Sequence, residues 1–398
     1  MVQQMYSMVP LMRAAEEKSL RGHPAAIGAY NVNFWAQAKG ILRGLEMTEA
    51  PGIIQASRGA NKFQGGPDKI QLMVLDAMSS TPYDHRVAFH LDHGTEEAAI
   101  DCINNGFSSV MIDASKLPEM DNIELTKKIV EAAHKKGVSV EGEYGLLSGV
   151  EEDVEHAKTV YADPVFVPVF LGRSGADALA IAYGTSHGPN KGHTDALDLS
   201  IVARSYKGLV AQGMNLDKFL VSHGSSAVPP EFVALINEYG GALKGASGVP
   251  AYMVTRAISL GMRKVNIDTD LRLAMTGKVR EWLSKNGERA EQSELVGKIK
   301  AIFDGKIKAY DKDKNEVDPA QITDPRSWLK PIMDDTPEVL RKDYRNTNDE
   351  AFIEVMQIVE DTVAEHVANL NKVFGSAGLI TKVDKSLTLE EMAKRYAA

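Results

Sequence analysis

Three histidines in this chain are each followed by glycine, in "HLDHG" at 90–94, "SHG" at 186–188 and "SHG" at 222–224. There are only ten histidines in 398 residues, so one dipeptide repeated three times after apolar runs asks for a chemical reason. Three imidazoles that converge make a catalytic zinc site with one position left open for water or substrate. His93, His187 and His223 are the candidates. Glycine after each leaves the backbone free to approach a ligand closely. Taken singly, each histidine is as well explained by a hydrogen bond at a strand end.

Carboxylates accompany them. Asp92 adjoins His93, where a side chain at the end of a strand could swing over the site and move protons. Asp113 and Glu143 could be outer metal ligands or acceptors that orient the imidazoles. His90 is three residues before His93, so strand alternation puts it on the opposite face, in a structural role. Phosphate-binding groups form a further set. Lys191 follows His187 by four residues in "HGPNK", Ser225 and Ser226 follow His223 in "HGSSAVP", and "NIDTD" supplies Asn266 and Thr269. Loops after the last two strands of a (β/α)8 barrel often hold phosphate through backbone amides and a helix N-terminus.

Eight short runs of strand formers position these residues: 27–31, 52–57, 86–92, 108–113, 138–144, 178–184, 218–223 and 263–268. Helical patterns separate most of them, which specifies a parallel sheet. Eight such units over roughly 250 residues match a closed (β/α)8 TIM barrel. A doubly wound open sheet is the runner-up, but "GAYNVNFW" lacks the glycine-rich loop that usually follows its first strand. Asn31, Ser57, Asp92 with His93, Asp113, Glu143, His187, His223, and Asn266 with Asp268 all sit at or just past a strand's C-terminal end. In a barrel those ends form one face, where active sites are built. The expected organisation is a barrel core with an N-terminal helix over 1–271. C-terminal helices over 272–398 pack on the same barrel, with charged insertions at 304–323 and 331–350.

Composition narrows the function. Hydrophobic residues make up 44% and charged residues 25%, as in globular proteins with a full core. A formal net charge of -9 argues against nucleic acid or an anionic membrane as the main partner. One cysteine, Cys102, excludes an intrachain disulfide and suits a reducing compartment. No stretch approaches the ~20 apolar residues of a membrane span. A cytoplasmic location is expected.

"HLDHG", "VEGEYG", "AIAYGTSHG", "VSHGSS" and "RKVNIDTDLR", in this order, resemble the class II, metal-dependent fructose-bisphosphate aldolases. The resemblance runs from about residue 9 to "VFGSAG" near residue 377. "HGSSAVP" departs from the commoner HGGSG form. The resemblance implies a (β/α)8 fold and reversible cleavage of fructose 1,6-bisphosphate to dihydroxyacetone phosphate and glyceraldehyde 3-phosphate. It also implies one catalytic zinc per subunit, with other divalent metals as alternatives, and allows a monovalent cation besides. A homodimer or larger homo-oligomer is expected. His93, His187 and His223 match the zinc ligands, and Asp92 the acid/base at the C4 hydroxyl. Asp113 and Glu143 match carboxylates that hold the metal in a more buried position. Gly188, Gly224, Ser226, Asn266, Asp268 and Thr269 match positions around dihydroxyacetone phosphate, and Lys191 the lysine of the HG..K motif. Asn31 and Ser57 match substrate-side polar positions. Arg326 in "DPRSWL" matches the arginine at the second phosphate; its alternative role is to cap its own Asp324 turn. A loop glutamate, the second acid/base, falls in "LLSGVEEDV". The EED motif favours Glu152, and ungapped counting from Glu143 favours Glu151.

Three alternatives stay open. Tagatose 1,6-bisphosphate or another ketose phosphate differs in stereochemistry at one carbon, which a single sequence does not resolve. A Schiff-base aldolase needs a strand-end lysine, and the nearest, Lys264, opens strand 8 at the opposite face. A zinc-binding scaffold without activity is the third.

Overall fold

The computed structural model describes residues 4–146, 148–151, 154–156, 159–187, 196–310 and 315–398, with 148–151, 154–156 and 187 described by their backbone alone. Eight strands form a closed barrel: β1 (Ile27–Asn31), β2 (Gly52–Ser57), β3 (Val87–Gly94), β4 (Ser109–Ile112), β5 (Ser139–Tyr144), β6 (Ala178–Ile181), β7 (Phe219–Ser222) and β8 (Met262–Ile267). Each pairs in parallel with its neighbours in chain order, and β8 closes on β1. This is the (β/α)8 barrel expected from the strand–helix alternation.

Side chains alternate between the two faces of each strand, and the alternation sorts the barrel into layers. Tyr30, Ile54, Phe89, Leu91, Val110, Val140, Leu179 and Val265 face outward into the main apolar core shared with the helices. Ile27, Ala29, Ile53, Ala88, Met111, Ala178, Phe219 and Val221 face inward and form a separate cluster with the N-terminal helix α1 (Met8–Leu20). Its Met8, Leu11 and Met12 close the barrel on that side. Above this apolar floor the inward positions turn polar. Gln55, His90, Glu141 and Lys264 come first, and then Asn31, Ser57, Asp92, Glu143, His223 and Asn266.

One expected strand is shorter than its pattern suggests. The run 178–184 leaves the barrel at Ile181, and Gly184 turns it with φ +106°, where a side chain would lie 1.9 Å from Ala196 O. His187 therefore does not end a barrel strand. Ser186–His187 pairs in parallel with Ser148–Glu151, which pairs antiparallel with Val154–His156, so the three make a small sheet of their own.

Beyond β8 the chain is mostly helical, with α2 (Thr269–Lys285), α3 (Pro325–Asp335) and α4 (Glu350–Val373) among its helices. Part of 304–323 is a short antiparallel pair, Ala309–Tyr310 with Glu316–Val317. The 331–350 stretch holds the end of α3 and a turn whose Arg341 Nη2 donates to Gln64 O at 2.5 Å. Helix α4 lies against the helix Trp35–Thr48. Gly40 and Gly44 permit the approach: a Cβ on Gly44 would stand 2.6 Å from Val367 Cβ and 2.7 Å from Ala364 O.

Gly44→Ala sets two effects against each other. Alanine gains about 1 kcal/mol of helix propensity over glycine, and overpacking a tight contact costs about 1–3 kcal/mol. We expect a net loss of about 1 kcal/mol in urea unfolding. A more stable variant would mean that the two helices can part freely.

Candidate active site

The site is built on a break in the alternation of β3. Ala88, His90 and Asp92 face inward in turn, and His93 should then face outward. Instead its φ is +49°, a left-handed conformation uncommon for residues with a Cβ. The β3–β4 register shifts at the same point, between Leu91 and Gly94. His93 is thereby turned to the side of Asp92, which corrects the expectation that His90 and His93 lie on opposite faces. His90 is fully buried within the barrel, its Nδ1 2.8 Å from Ser109 Oγ.

His93 Nε2 faces His223 Nδ1 at 3.0 Å, and its Nδ1 lies 3.2 Å from Asp113 Oδ2 and 3.6 Å from Glu143 Oε2. Ligand atoms of Asp92, His93 and His223 lie within 4.8 Å of one another, as do those of His93, Asp113 and Glu143. Glu143 Oε2 is buried and makes no hydrogen bond among the described residues. Burial and the charge of Asp113 push the Glu143 carboxyl well above its usual range. Burial disfavours a charged His93, yet the hydrogen bond to Asp113 and the charges of Asp92 and Glu143 hold its imidazole well above the ordinary value. Burial would likewise raise Asp113, but its bonds to His93 and Ser115 keep it well below. The carboxylates thus create a demand for positive charge where two imidazole nitrogens already meet. Nitrogen and carboxylate donors around such a point fit a divalent ion of the zinc type.

His187 approaches the same place by its backbone. Gly224, immediately after His223, has φ +62°, and a Cβ there would lie 2.5 Å from Ser186 O. The bare glycine lets the small sheet carrying His187 close on the His223 turn. Gly188, Lys191 and Glu152 lie outside the described residues, and the side chains of His187 and Glu151 do as well.

Asp92 is held from both sides. Gln55 Nε2 reaches its Oδ2 at 3.2 Å, and Asn266 Nδ2 its Oδ1 at 3.3 Å. Gln55 also donates to Asn31 Oδ1 at 2.6 Å, so three strands fix one carboxylate. Ser57 caps the helix Arg58–Gln64 by accepting from Ala60 N at 3.0 Å. Ser226 Oγ accepts from Asp268 N at 3.3 Å, and Thr269 opens α2. Arg272 bridges Asp268 and Asp324, and Arg326 returns to Asp324 with Nη2–Oδ2 at 2.6 Å. The arginine is thus engaged as the cap of its own turn, on a charge chain that ends at β8.

Several residues escaped the sequence reading. Glu141 accepts from His223 Nε2 at 2.7 Å and pairs with Lys264 Nζ at 2.8 Å. Lys264 is thus inside the barrel and ion-paired, not at its far face. Glu141 precedes Glu143 by two residues, as Gln55 precedes Ser57, so alternation alone could have found both. Asp270 accepts from Val228 N at 2.7 Å and Ala227 N at 3.1 Å. It secures the turn after His223, in which Val228 has φ +51°, a costly conformation for a β-branched residue.

Comparison with known proteins adds to this geometry. The family model for fructose-bisphosphate aldolase class II matches residues 8–378. The fructose-bisphosphate aldolase of Giardia intestinalis is 39% identical over 297 residues, covering 73% of this chain and 89% of that protein. That of Nostoc commune is 32% identical over 416 residues, covering 98% and 96%. The solved structure of the Campylobacter jejuni fructose-bisphosphate aldolase superposes with a TM-score of 0.61 at 19% identity, covering 96% of this chain and 97% of that one. This last likeness bears on the fold alone.

Gly224→Ala tests the approach of the His187 sheet. A side chain there is strained by about 1–2 kcal/mol and meets Ser186 O. The purified variant should be folded by circular dichroism and carry markedly less metal by elemental analysis. Full metal content would mean that the two segments need not touch.

Proposed function

The chain belongs to the class II fructose-bisphosphate aldolase family, and on that premise we propose that it cleaves fructose 1,6-bisphosphate reversibly to dihydroxyacetone phosphate and glyceraldehyde 3-phosphate. The observation that carries the reading is Asp92, a buried carboxylate fixed by two neutral donors beside the facing nitrogens of His93 and His223. His93, His187 and His223 would hold the ion, and zinc suits their three imidazoles. When bound, it supplies Lewis-acid stabilisation of the negative charge that C3–C4 cleavage places on the substrate's C2 oxygen.

The other roles belong to the chain. Asp92 removes the C4 hydroxyl proton, and the hydrogen bonds from Gln55 and Asn266 aim its oxygens. The loop glutamate, Glu152 or Glu151, returns a proton to the carbon end of the three-carbon product. Asp113 and Glu143 offer the ion a second, more buried seat around His93 Nδ1. Gly188, Lys191, Gly224, Ser226, Asn266, Asp268 and Thr269 line the dihydroxyacetone-phosphate half, with Asn31 and Ser57 on the substrate side. Arg326 meets the distal phosphate, exchanging Asp324 for it, through paired hydrogen bonds that lysine cannot copy. The same reading takes the protein as a cytoplasmic homo-oligomer acting on a sugar phosphate. No described helix is long and apolar enough to cross a membrane.

A panel of fructose 1,6-bisphosphate, tagatose 1,6-bisphosphate and fructose 1-phosphate in a coupled cleavage assay tests the proposal. The first should be cleaved best, EDTA should abolish cleavage, and added zinc should restore it. Cleavage that persists in EDTA would point to Schiff-base chemistry. Absence of any cleavage would point to a scaffold.

Asp92→Ala should keep its metal and lower kcat by ~10²–10⁴-fold, as expected for a lost general acid/base. Metal loss as the main effect would make Asp92 a structural residue.

A further inference from the structure

A fully buried ion pair lies directly beneath the histidines. Lys264, Glu141 and His90 all have zero exposure. Glu141 divides its two oxygens: Oε1 is 2.7 Å from His223 Nε2, and Oε2 is 2.8 Å from Lys264 Nζ. The carboxylate stays well below its usual range, because the charge of Lys264 and the bond from His223 outweigh the effect of burial. Burying such a pair is seldom better for stability than packing apolar side chains of the same volume. Its position therefore calls for a role other than holding the barrel together.

We propose that Glu141, aimed by Lys264, is a positioning residue that keeps His223 ready to bind metal. An imidazole that gives its Nε2 proton to a carboxylate presents a lone pair at Nδ1. His223 Nδ1 is the atom that faces His93 Nε2. Asn266 Nδ2 also lies 3.2 Å from His223 Nε2, but as a donor it cannot accept that proton and turns to Asp92 instead. Lys264 supplies the direction. His90 Nε2 is buried without a hydrogen bond among the described residues, 3.6 Å from Glu141 Oε2. By occupying Oε2, Lys264 keeps the carboxylate from turning toward His90 and leaves Oε1 for His223.

The inference rests on His223 being a metal ligand, and it yields an unusual expectation for a neutral variant. In Glu141→Gln, the lysine claims the amide oxygen, so the NH2 turns to His223. Nε2 must then accept, and the ring proton moves to Nδ1, into the metal position. Zinc affinity of the metal-free protein, measured by competition with a chromogenic chelator, should fall by about 10- to 100-fold. Adding Lys264→Met frees the amide to turn its oxygen toward His223, so the double variant should bind zinc more tightly than Glu141→Gln alone. It also leaves no unpaired buried charge, which protects the test should the single variant fold poorly. A purely structural role would lower the melting temperature of the metal-free protein without this recovery. A Glu141→Gln affinity within about twofold of the unsubstituted protein, well inside the effect of an outer-shell change, overturns the proposal, as does a double variant that binds no better than the single. His223→Ala, measured alongside, must lose the metal. If it does not, the ligand assignment itself has failed, and the inference falls with it.

Discussion

Everything at this site depends on the backbone of one residue, His93. Strict alternation would send its ring outward into the apolar layer with Phe89 and Leu91. A φ of +49° brings it inward, directly after Asp92, so that the proposed acid–base carboxylate and the proposed metal-binding imidazole come from adjacent positions. Conformations of this kind cost about 1–3 kcal/mol and persist where the surroundings over-determine them. Here the bond to Asp113 and the β3–β4 register shift hold the ring in place. The strain buys a juxtaposition that regular strand geometry forbids.

From that turn the barrel reads as a vertical sequence of environments. Apolar residues from α1 and the strand starts form the floor. The Lys264–Glu141 pair occupies the middle, linked upward to His223. At the mouth, Asp92, Asp113 and Glu143 gather around His93, and burial with the charge of Asp113 pushes the Glu143 carboxyl well above its usual range. Charge buried this way is costly unless it is paired or binds a metal. The turn after His223, strained at Val228 and secured by Asp270, concentrates unfavourable backbone geometry beside the same centre.

Much of this was legible in the sequence because a parallel barrel converts period-two patterns into one polar face. The ends of β1, β2 and β5 and the residues they carry fall where the runs 27–31, 52–57 and 138–144 put them. Asn31, Asp92, Asp113, Glu143, His223 and Asn266 converge as their strand-end positions implied. The failures are local breaks in that period. Alternation put His90 and His93 on opposite faces, and only the left-handed turn brings them together. The run 178–184 looked like one strand, but the barrel strand ends at Ile181 and Gly184 turns the chain with φ +106°. Glu141 was overlooked, and Lys264 was weighed only as a Schiff-base lysine at the opposite face, for a different reason: both lie one layer below the rim, where catalytic groups are usually sought. Arg326 could be read either as a phosphate ligand or as the cap of its own turn, and it makes the second contact.

On the proposed function, His93, against the alternation of its strand, shares one divalent ion with His223. Anomalous diffraction at the zinc edge from zinc-loaded crystals tests it directly. A single peak is expected within about 2.0–2.1 Å of His93 Nε2 and His223 Nδ1. A peak that His93 does not ligate, or a His93 ring turned outward in the metal-bound protein, would contradict it.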